Sequence, residues 1–421
     1  MKRSYAKGTM SEWSLLRRSL AALLLLLLLG VAGCWDRQEL NELGIISATG
    51  IDITDSGRWK LSYQLVIPNA ISSQGAYVGS SASPVNVFTT EGDSFRGAVN
   101  KATQEMSRRL YFSHNQIVIV GEKAARKGIA PLIEAYMRNG DSRETVAIFV
   151  TEGTARKVLE QLLPLEKISG AGINRLIGLE EKYGGNFRAM TMFELGQSML
   201  GPVHVGGVAG IGLRGNGDPV DSVDAAKATH TGTKVRLQKV AIFKENRMIG
   251  WMTSHESRGI LWAKGWVKET SVSFACEGER LKRNSIRIRQ KKGKITPIKQ
   301  GSSWLMRVEV SGEGALMEYN CPGDMSKPGN LRPIAERIEQ ELKDDIEDSI
   351  RGAQSLHADI FGFGNLLLKQ HTREWKKIHK NWNEQGFPKI ESEVIVKVKI
   401  NKTGRSVNSY NNTIKEMHDK E

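Results

Sequence analysis

Of the side chains able to do covalent chemistry, the thiol of Cys34 holds the most telling position, near the end of LLLLLLLGVAGCWD (residues 23–36). A thiolate is the strongest nucleophile among ordinary side chains, and the small residues before it leave the backbone thin enough to enter a processing enzyme. The other candidates are poorer. His255-Glu256 lacks the second histidine of a zinc-hydrolase motif. His357 and Asp359 project from different faces of a helix, so with His371 further on they make a poor metal site. The chain has no phosphate-cradling GxxxxGK loop and no Gly-x-Ser-x-Gly elbow. Cys276 and Cys321 have no histidines at zinc-ligand spacing. They are able to pair in an oxidising compartment, but a chain of this size needs no staple, and two free buried thiols are the expectation. Paired carboxylates such as Asp344-Asp345 read as the solvated face of a helix. No catalytic residue, metal or cofactor is therefore expected, and the chain does not read as an enzyme.

The segment that presents Cys34 explains its placement. The apolar block runs from Leu20 to Ala32, too short for a membrane span, which needs about 20 apolar residues. Ahead of it stand Lys2, Arg3, Lys7, Arg17 and Arg18, opposed by Glu12. A cationic start, an apolar core and a small-residue end make a secretory signal peptide. Its ending, Val31-Ala32-Gly33-Cys34, resembles a bacterial lipobox. There the cysteine sulfur receives a diacylglyceryl group, the leader (residues 1–33) is cut between Gly33 and Cys34, and the new N-terminus is acylated. Each buried methylene contributes about 0.8 kcal/mol, so two or three chains form a durable anchor. The mature protein is expected to begin at Cys34, outside the cytoplasm and tethered to a membrane.

The chain has 421 residues and a formal charge of +14, of which the leader carries only a small part. A positive balance outside the cell favours anionic lipid, acidic wall polymer or an acidic partner over nucleic acid, for which no motif is present. The cations concentrate at Arg280, Lys282, Arg283, Arg287, Arg289, Lys291, Lys292, Lys294 and Lys299. In NSIRIRQ, Ile286 and Ile288 point one way and Arg287 and Arg289 the other. Three destinations are open for these cations: solvent, the acidic side of a long helix (Glu336, Glu339, Asp344, Glu347), or headgroups and acidic partners.

The elements after the anchor read as an α+β protein in three parts. In residues 34–200, DRQELNEL starts as a short helix capped by Asp36, and GIISATGIDIT and RWKLSYQLVIP flank an Asp55-Ser56-Gly57 turn. Residues 69–86 are rich in Ser and Gly and read as a loop. Phe95, Val99, Ala102, Met106 and Leu110 form one helical stripe, and QIVIVG, KGIAPLIEAYMRN and TVAIFVTEG alternate strand and helix. TARKVLEQLL and FELGQSML are further helical stretches. Residues 201–270 read as a small middle domain. HVGGVAGIGLRGNGDP lacks dinucleotide-fingerprint spacing and reads as turns between strands. Two strands follow around Glu245-Asn246, then a helix near SHESRGILWA. Residues 271–421 open with short strands that suit an antiparallel sheet, followed by a helix from about Leu331 to Arg351 whose apolar seam is Ile334, Ile338, Leu342, Ile346 and Ile350. HADIFGFGNLLLKQH and TREWKKIHKNWNE continue as helices, IESEVIVKVKI closes as a strand, and a polar tail starts at Lys402. Helical spacing of Trp262 and Trp266, and of Trp375 and Trp382, points to core packing.

CWDRQELNELGIISATGIDIT directly after a lipobox resembles the start of the spore-germination receptor C-subunit lipoproteins, the Ger(x)C family. KVAIFKENRMIGWMTSHESRGILWAKG and the stretch from HADIFGFGN to KVKINKTG are similar to the same family. The resemblance implies a three-domain α+β ectodomain, with mixed and antiparallel sheets packed by helices. It implies a non-catalytic, lipid-anchored subunit of a nutrient-germinant receptor in the spore inner membrane, acting with integral-membrane A and B subunits. Cys34 is the one functional residue it transfers. Two other readings compete. One is a solute-binding lipoprotein of a transport system, which requires two α/β lobes around a polar cleft. The other is a tethered wall enzyme, for which a nucleophile or acid pair is missing.

Overall fold

A computed structural model of the chain describes residues 13–23, 39–71, 82–301, 303–321 and 328–402. Gly33 and Cys34, the Asp36 cap, most of the Ser/Gly-rich segment and the tail from residue 403 lie outside the described residues. Residues 13–23 form an exposed helix. No helix among the described residues is long and apolar enough to cross a membrane.

Ten strands make the first sheet: β1 (Leu43–Ile53), β2 (Trp59–Val66), β3 (Val85–Gly92), β4 (Arg109–Tyr111), β5 (Ile117–Gly121), β6 (Ala147–Thr151), β7 (Met190–Thr191), β8 (Val205–Gly215), β9 (Thr233–Lys244) and β10 (Arg247–Thr253). Their main path is β10-β9-β8-β6-β5-β1-β2-β3, with β4 on β1 and β7 on β6. The centre, β1-β5-β6-β8, is parallel and the flanks are antiparallel. Every residue of β5, IVIVG, is buried, because both faces of a parallel centre are covered. Ile117, Ile119 and Phe149 enter one core while Val118, Val120 and Ile148 enter the other. The strands of segments 34–200 and 201–270 thus share one sheet, joined where Val150 on β6 pairs with Gly210 on β8.

Four strands make the second sheet, in the order β11 (Glu269–Phe274), β12 (Asn284–Gln300), β13 (Ser303–Glu318) and β14 (Glu391–Lys402). β11 is short as expected, but the other four expected strands are two long ones, since β12 and β13 run unbroken through the residues that read as turns, with irregularities near Ser285 and between Gln290 and Lys292. The sheet is mixed: β14 joins β13 in parallel, a pairing made across the helical segment between them. Helix Leu331–Ser355 lies on this sheet by the expected seam, with Ile338, Leu342 and Ile346 fully buried.

Four further readings are corrected. HVGGVAGIGLRGNGDP is mostly the continuous strand β8, whose glycines answer to close neighbours: a Cβ on Gly206 would lie 2.8 Å from Leu195, and one on Gly210 2.8 Å from Trp251. The stripe from Phe95 ends early, as helix Phe95–Glu105 closes at Met106 and Leu110 sits in β4. Cys276 and Cys321 form a disulfide with Cα atoms 5.5 Å apart. They stand just past the same ends of β11 and β13, strands that β12 holds side by side, so the sheet brings together what the chain separates by 45 positions. Asp344 is exposed as expected, but Asp345 is fully buried, because helix Leu331–Ser355 meets a second helix on that side.

Candidate functional site

That second helix, Ser254–Lys264, sits between the two sheets, touching β9 and β10 of the first and β12 and β13 of the second. Thr253 starts it with a capping box: Thr253 Oγ1 accepts from Glu256 N, and Glu256 Oε2 accepts from Thr253 N. Gly265, at φ 74°, ends it in the left-handed conformation. Gln290 on β12 holds that end, donating to Trp262 O at 2.6 Å and accepting from Val267 N at 2.9 Å. The crossing with helix Leu331–Ser355 is so close that a Cβ on Gly259 would lie 2.3 Å from Asp345 O.

Charges near the helix start lie in contact. Asp345 Oδ2 takes the Arg258 guanidinium, and His255 lies against Oδ1, which accepts no hydrogen bond among the described residues. Ser349 Oγ shares its one proton between the carbonyls of Glu256 and Asp345. These bonds fix the angle between the two helices; His255 is half-exposed, with Asp348 4.0 Å from its Nδ1.

The helix end is different. A cavity of about 90 Å³ lies between the helix and β8. It exists because Gly207 and Ala209, on the β8 face toward the helix, supply almost no bulk; a Cβ on Gly207 would already lie 3.1 Å from Ile360. Val205, Ile260 and Leu261 make its walls apolar. Lys264 reaches into it. Among the described residues its ammonium has no hydrogen bond and no ion pair; its polar contact is the Trp266 ring, 4.5 Å from Nζ to the centroid. Arg188 shares that ring at 4.7 Å. Burial pushes the Lys264 pKa down to about 8; buried Asp359 draws it up and Arg188 pushes it further down. Arg188 is itself held by Glu194. Burial alone would raise the Glu194 carboxyl, but bonds from Thr191 N and Arg188 outweigh it and hold the carboxyl below its ordinary value.

Asp359 is fixed by four donors. Oδ1 accepts from Gly362 N (2.8 Å) and Phe363 N (2.9 Å), and Oδ2 from Gly364 N (2.7 Å) and Trp382 Nε1 (2.8 Å). Burial still pushes its pKa above the usual carboxylate value against those bonds. The carboxylate clips the segment after helix Leu331–Ser355 onto Trp382. His357 instead faces Glu384 at 3.3 Å, and His371 stacks on Trp304, so the three residues do not converge. Among the described residues no group of three or more metal-type side chains forms.

The basic hairpin resolves into cross-strand pairs, and a pair with Glu374 on helix Thr372–Ile378, rather than contacts with Glu336, Glu339, Asp344 or Glu347. Arg287 and Arg289 face Glu269 on β11 at 3.9 and 3.4 Å, Lys292 faces Glu309 at 3.1 Å, and Lys299 faces Glu374 at 3.2 Å. Lys282 reaches the long helix, but at Glu341. Such exposed pairs contribute little, because solvent and salt screen them. Trp262, Trp375 and Trp382 are core residues, as their spacing predicts, whereas Trp266 is 39% exposed at the cavity mouth. Sequence reasoning missed Lys264, though a signal was present: in GILWAKGWV it is a lone cation among apolar residues, next to the helix-ending glycine.

Comparison with known proteins places this architecture. Residues 36–206 match the family described as spore germination protein N-terminal domain, and residues 238–404 match the one described as spore germination B3/GerAC like, C-terminal. The chain is 26% identical over 390 residues to spore germination protein KC of Bacillus subtilis (strain 168), covering 91% of this chain and 95% of that protein. It is 23% identical over 372 residues to spore germination protein B3 of the same organism, covering 85% and 91%. The crystal structure of the GerBC protein aligns with a TM-score of 0.52 at 17% identity, over 87% of this chain and 100% of that chain, a likeness of fold. The two models between them span most of the chain, which belongs to the GerAC-like family of spore germination proteins.

Proposed function

We propose that this chain is the lipid-anchored, non-catalytic subunit of a nutrient-germinant receptor. The leader is cut between Gly33 and Cys34, Cys34 carries the acyl chains, and the folded body sits on the outer face of the spore inner membrane beside integral-membrane A and B subunits. The observation that carries this reading is the match to both halves of one germination-protein family, continuous with relatives over nine-tenths of the chain. The lipobox-like run ahead of the first matched residue supports the anchor.

The physical role of the anchor is confinement. A tether that restricts the body to a thin layer above the bilayer raises its effective concentration near membrane partners without any strong pairwise contact. We further divide the chain as leader 1–33 and units 34–200, 201–270 and 271–421, with the first two units unable to fold apart because they share a sheet. Limited proteolysis yielding a stable 34–200 fragment would contradict that dependence. The functional test replaces Cys34 by Ala and follows nutrient germination of the mutant spores. Release of the protein from the membrane with a slowed response is expected; a full response at normal expression contradicts the reading.

A further inference from the structure

The cavity at the end of helix Ser254–Lys264 has no part in the anchoring role, and its chemistry is specific enough to name a ligand class. We infer that it is a binding site for one small organic carboxylate with an apolar body, its anionic end on Lys264 and its carbon chain against Val205, Ile260 and Leu261.

The charge argument comes first. A half-buried cation at the edge of an apolar cavity, with no counter-ion on it, offers an anion a ready partner. Lys264 has no hydrogen bond or ion pair among the described residues. Asp359, the carboxylate whose charge reaches it, is already occupied by four donors. Arg188 adds a second cation at the same indole, and its own partner Glu194 is shared with the Thr191 cap. The site is therefore positive in excess, and an anion completes it. The planar guanidinium and the ammonium together suit a carboxylate.

Size and lining then narrow the class. A water needs about 10–15 Å³ of such space, so the cavity holds several water positions, or a ligand of about five to eight non-hydrogen atoms. That is too small for a nucleotide or a phospholipid headgroup with its glycerol. The walls away from Lys264 are apolar, with Gly207 and Ala209 keeping them open. A bare inorganic anion would leave those walls facing water, whereas a short branched alkyl chain covers them. Trp266, partly exposed between the two cations, forms the mouth.

The test uses the full chain in a neutral maltoside detergent and titrates 4-methylpentanoate calorimetrically, with 4-methylpentanamide as the uncharged isostere. Saturable binding of one carboxylate per chain is expected, with the amide weaker by about tenfold or more. Lys264→Met should lose the carboxylate to the same extent while melting as a folded protein, and Lys264→Arg should keep it. Trp266→Leu gives a second folded variant with weakened binding should Lys264→Met not fold. Equal binding of acid and amide, or wild-type affinity in Lys264→Met, overturns the inference; so does the absence of saturable binding, which leaves the cavity to water. The readout is binding by purified protein, so its failure leaves the germination role untouched, and a failed germination test leaves the site untouched.

Discussion

The two ends of helix Ser254–Lys264 treat charge in opposite ways. Near its start, buried Asp345 gathers Arg258 and His255, and Ser349 ties the backbone of both helices together. Near its end, Lys264 stands over Trp266 at an apolar cavity with no counter-ion in contact among the described residues. The same helix thus carries one buried charge cluster whose members touch one another and one half-buried cation whose polar contact is an indole ring. A buried ion pair sets the geometry of packing, while a half-buried cation beside a cavity is available to a ligand. The contrast separates what holds the two sheets together from what is free to bind.

The contrast can be broken at several points. Asp345→Asn removes the anion and leaves Arg258 facing an amide, and breaking a buried pair in this way costs about 3–5 kcal/mol. Because Arg258 is 21% exposed, the lower end is expected in urea unfolding. Gly259→Ala pushes a methyl into the helix crossing and is expected to cost about 1–3 kcal/mol by the same measurement. Lys264→Met should act the other way, raising stability by about 1 kcal/mol by replacing an unpaired ammonium with an apolar chain of similar length. If Lys264→Met destabilises as Asp345→Asn does, the two ends are alike and the contrast fails.

The pH dependence sharpens the same point. The folded pKa of Lys264, about 8, lies below its ordinary value of 10.5, so the folded state binds its proton less tightly than the unfolded state. By linkage, stability contributed by this group rises as pH climbs through that window, and the penalty is fully present below pH 8. Unfolding free energies of wild type and Lys264→Met should therefore converge between about pH 8 and pH 10.5.

Local patterns in the chain disclosed much of this fold. The β1-β2 hairpin, the β9-β10 hairpin with Glu245 at φ 55°, and the five-residue seam of helix Leu331–Ser355 all follow from alternation, turn residues and four-residue spacing. What stayed hidden depends on neighbours distant in sequence. β8 looked like turns because its glycines are chosen by Leu195, Trp251 and Ile360, which lie elsewhere in the chain. The Cys276–Cys321 bond and the parallel β13-β14 pairing depend on the second sheet. Asp345 looked solvated since the seam rule counts one packed face, and here a second helix covers another. The cavity is assembled from Arg188, β8, Lys264 and Ile360, and no local pattern could gather them. Conversely, the lipobox-like ending at Cys34 is visible only in the sequence, since it lies outside the described residues.

That ending carries the central claim, confinement of a non-catalytic germination subunit to a membrane surface. The most direct measurement is the mass of the N-terminal peptide of the protein extracted from spore membranes. The account predicts a chain beginning at Cys34 with diacylglyceryl and N-acyl groups attached. A chain that retains residues 1–33, or that begins at an unmodified Cys34 and stays in the soluble fraction, contradicts it.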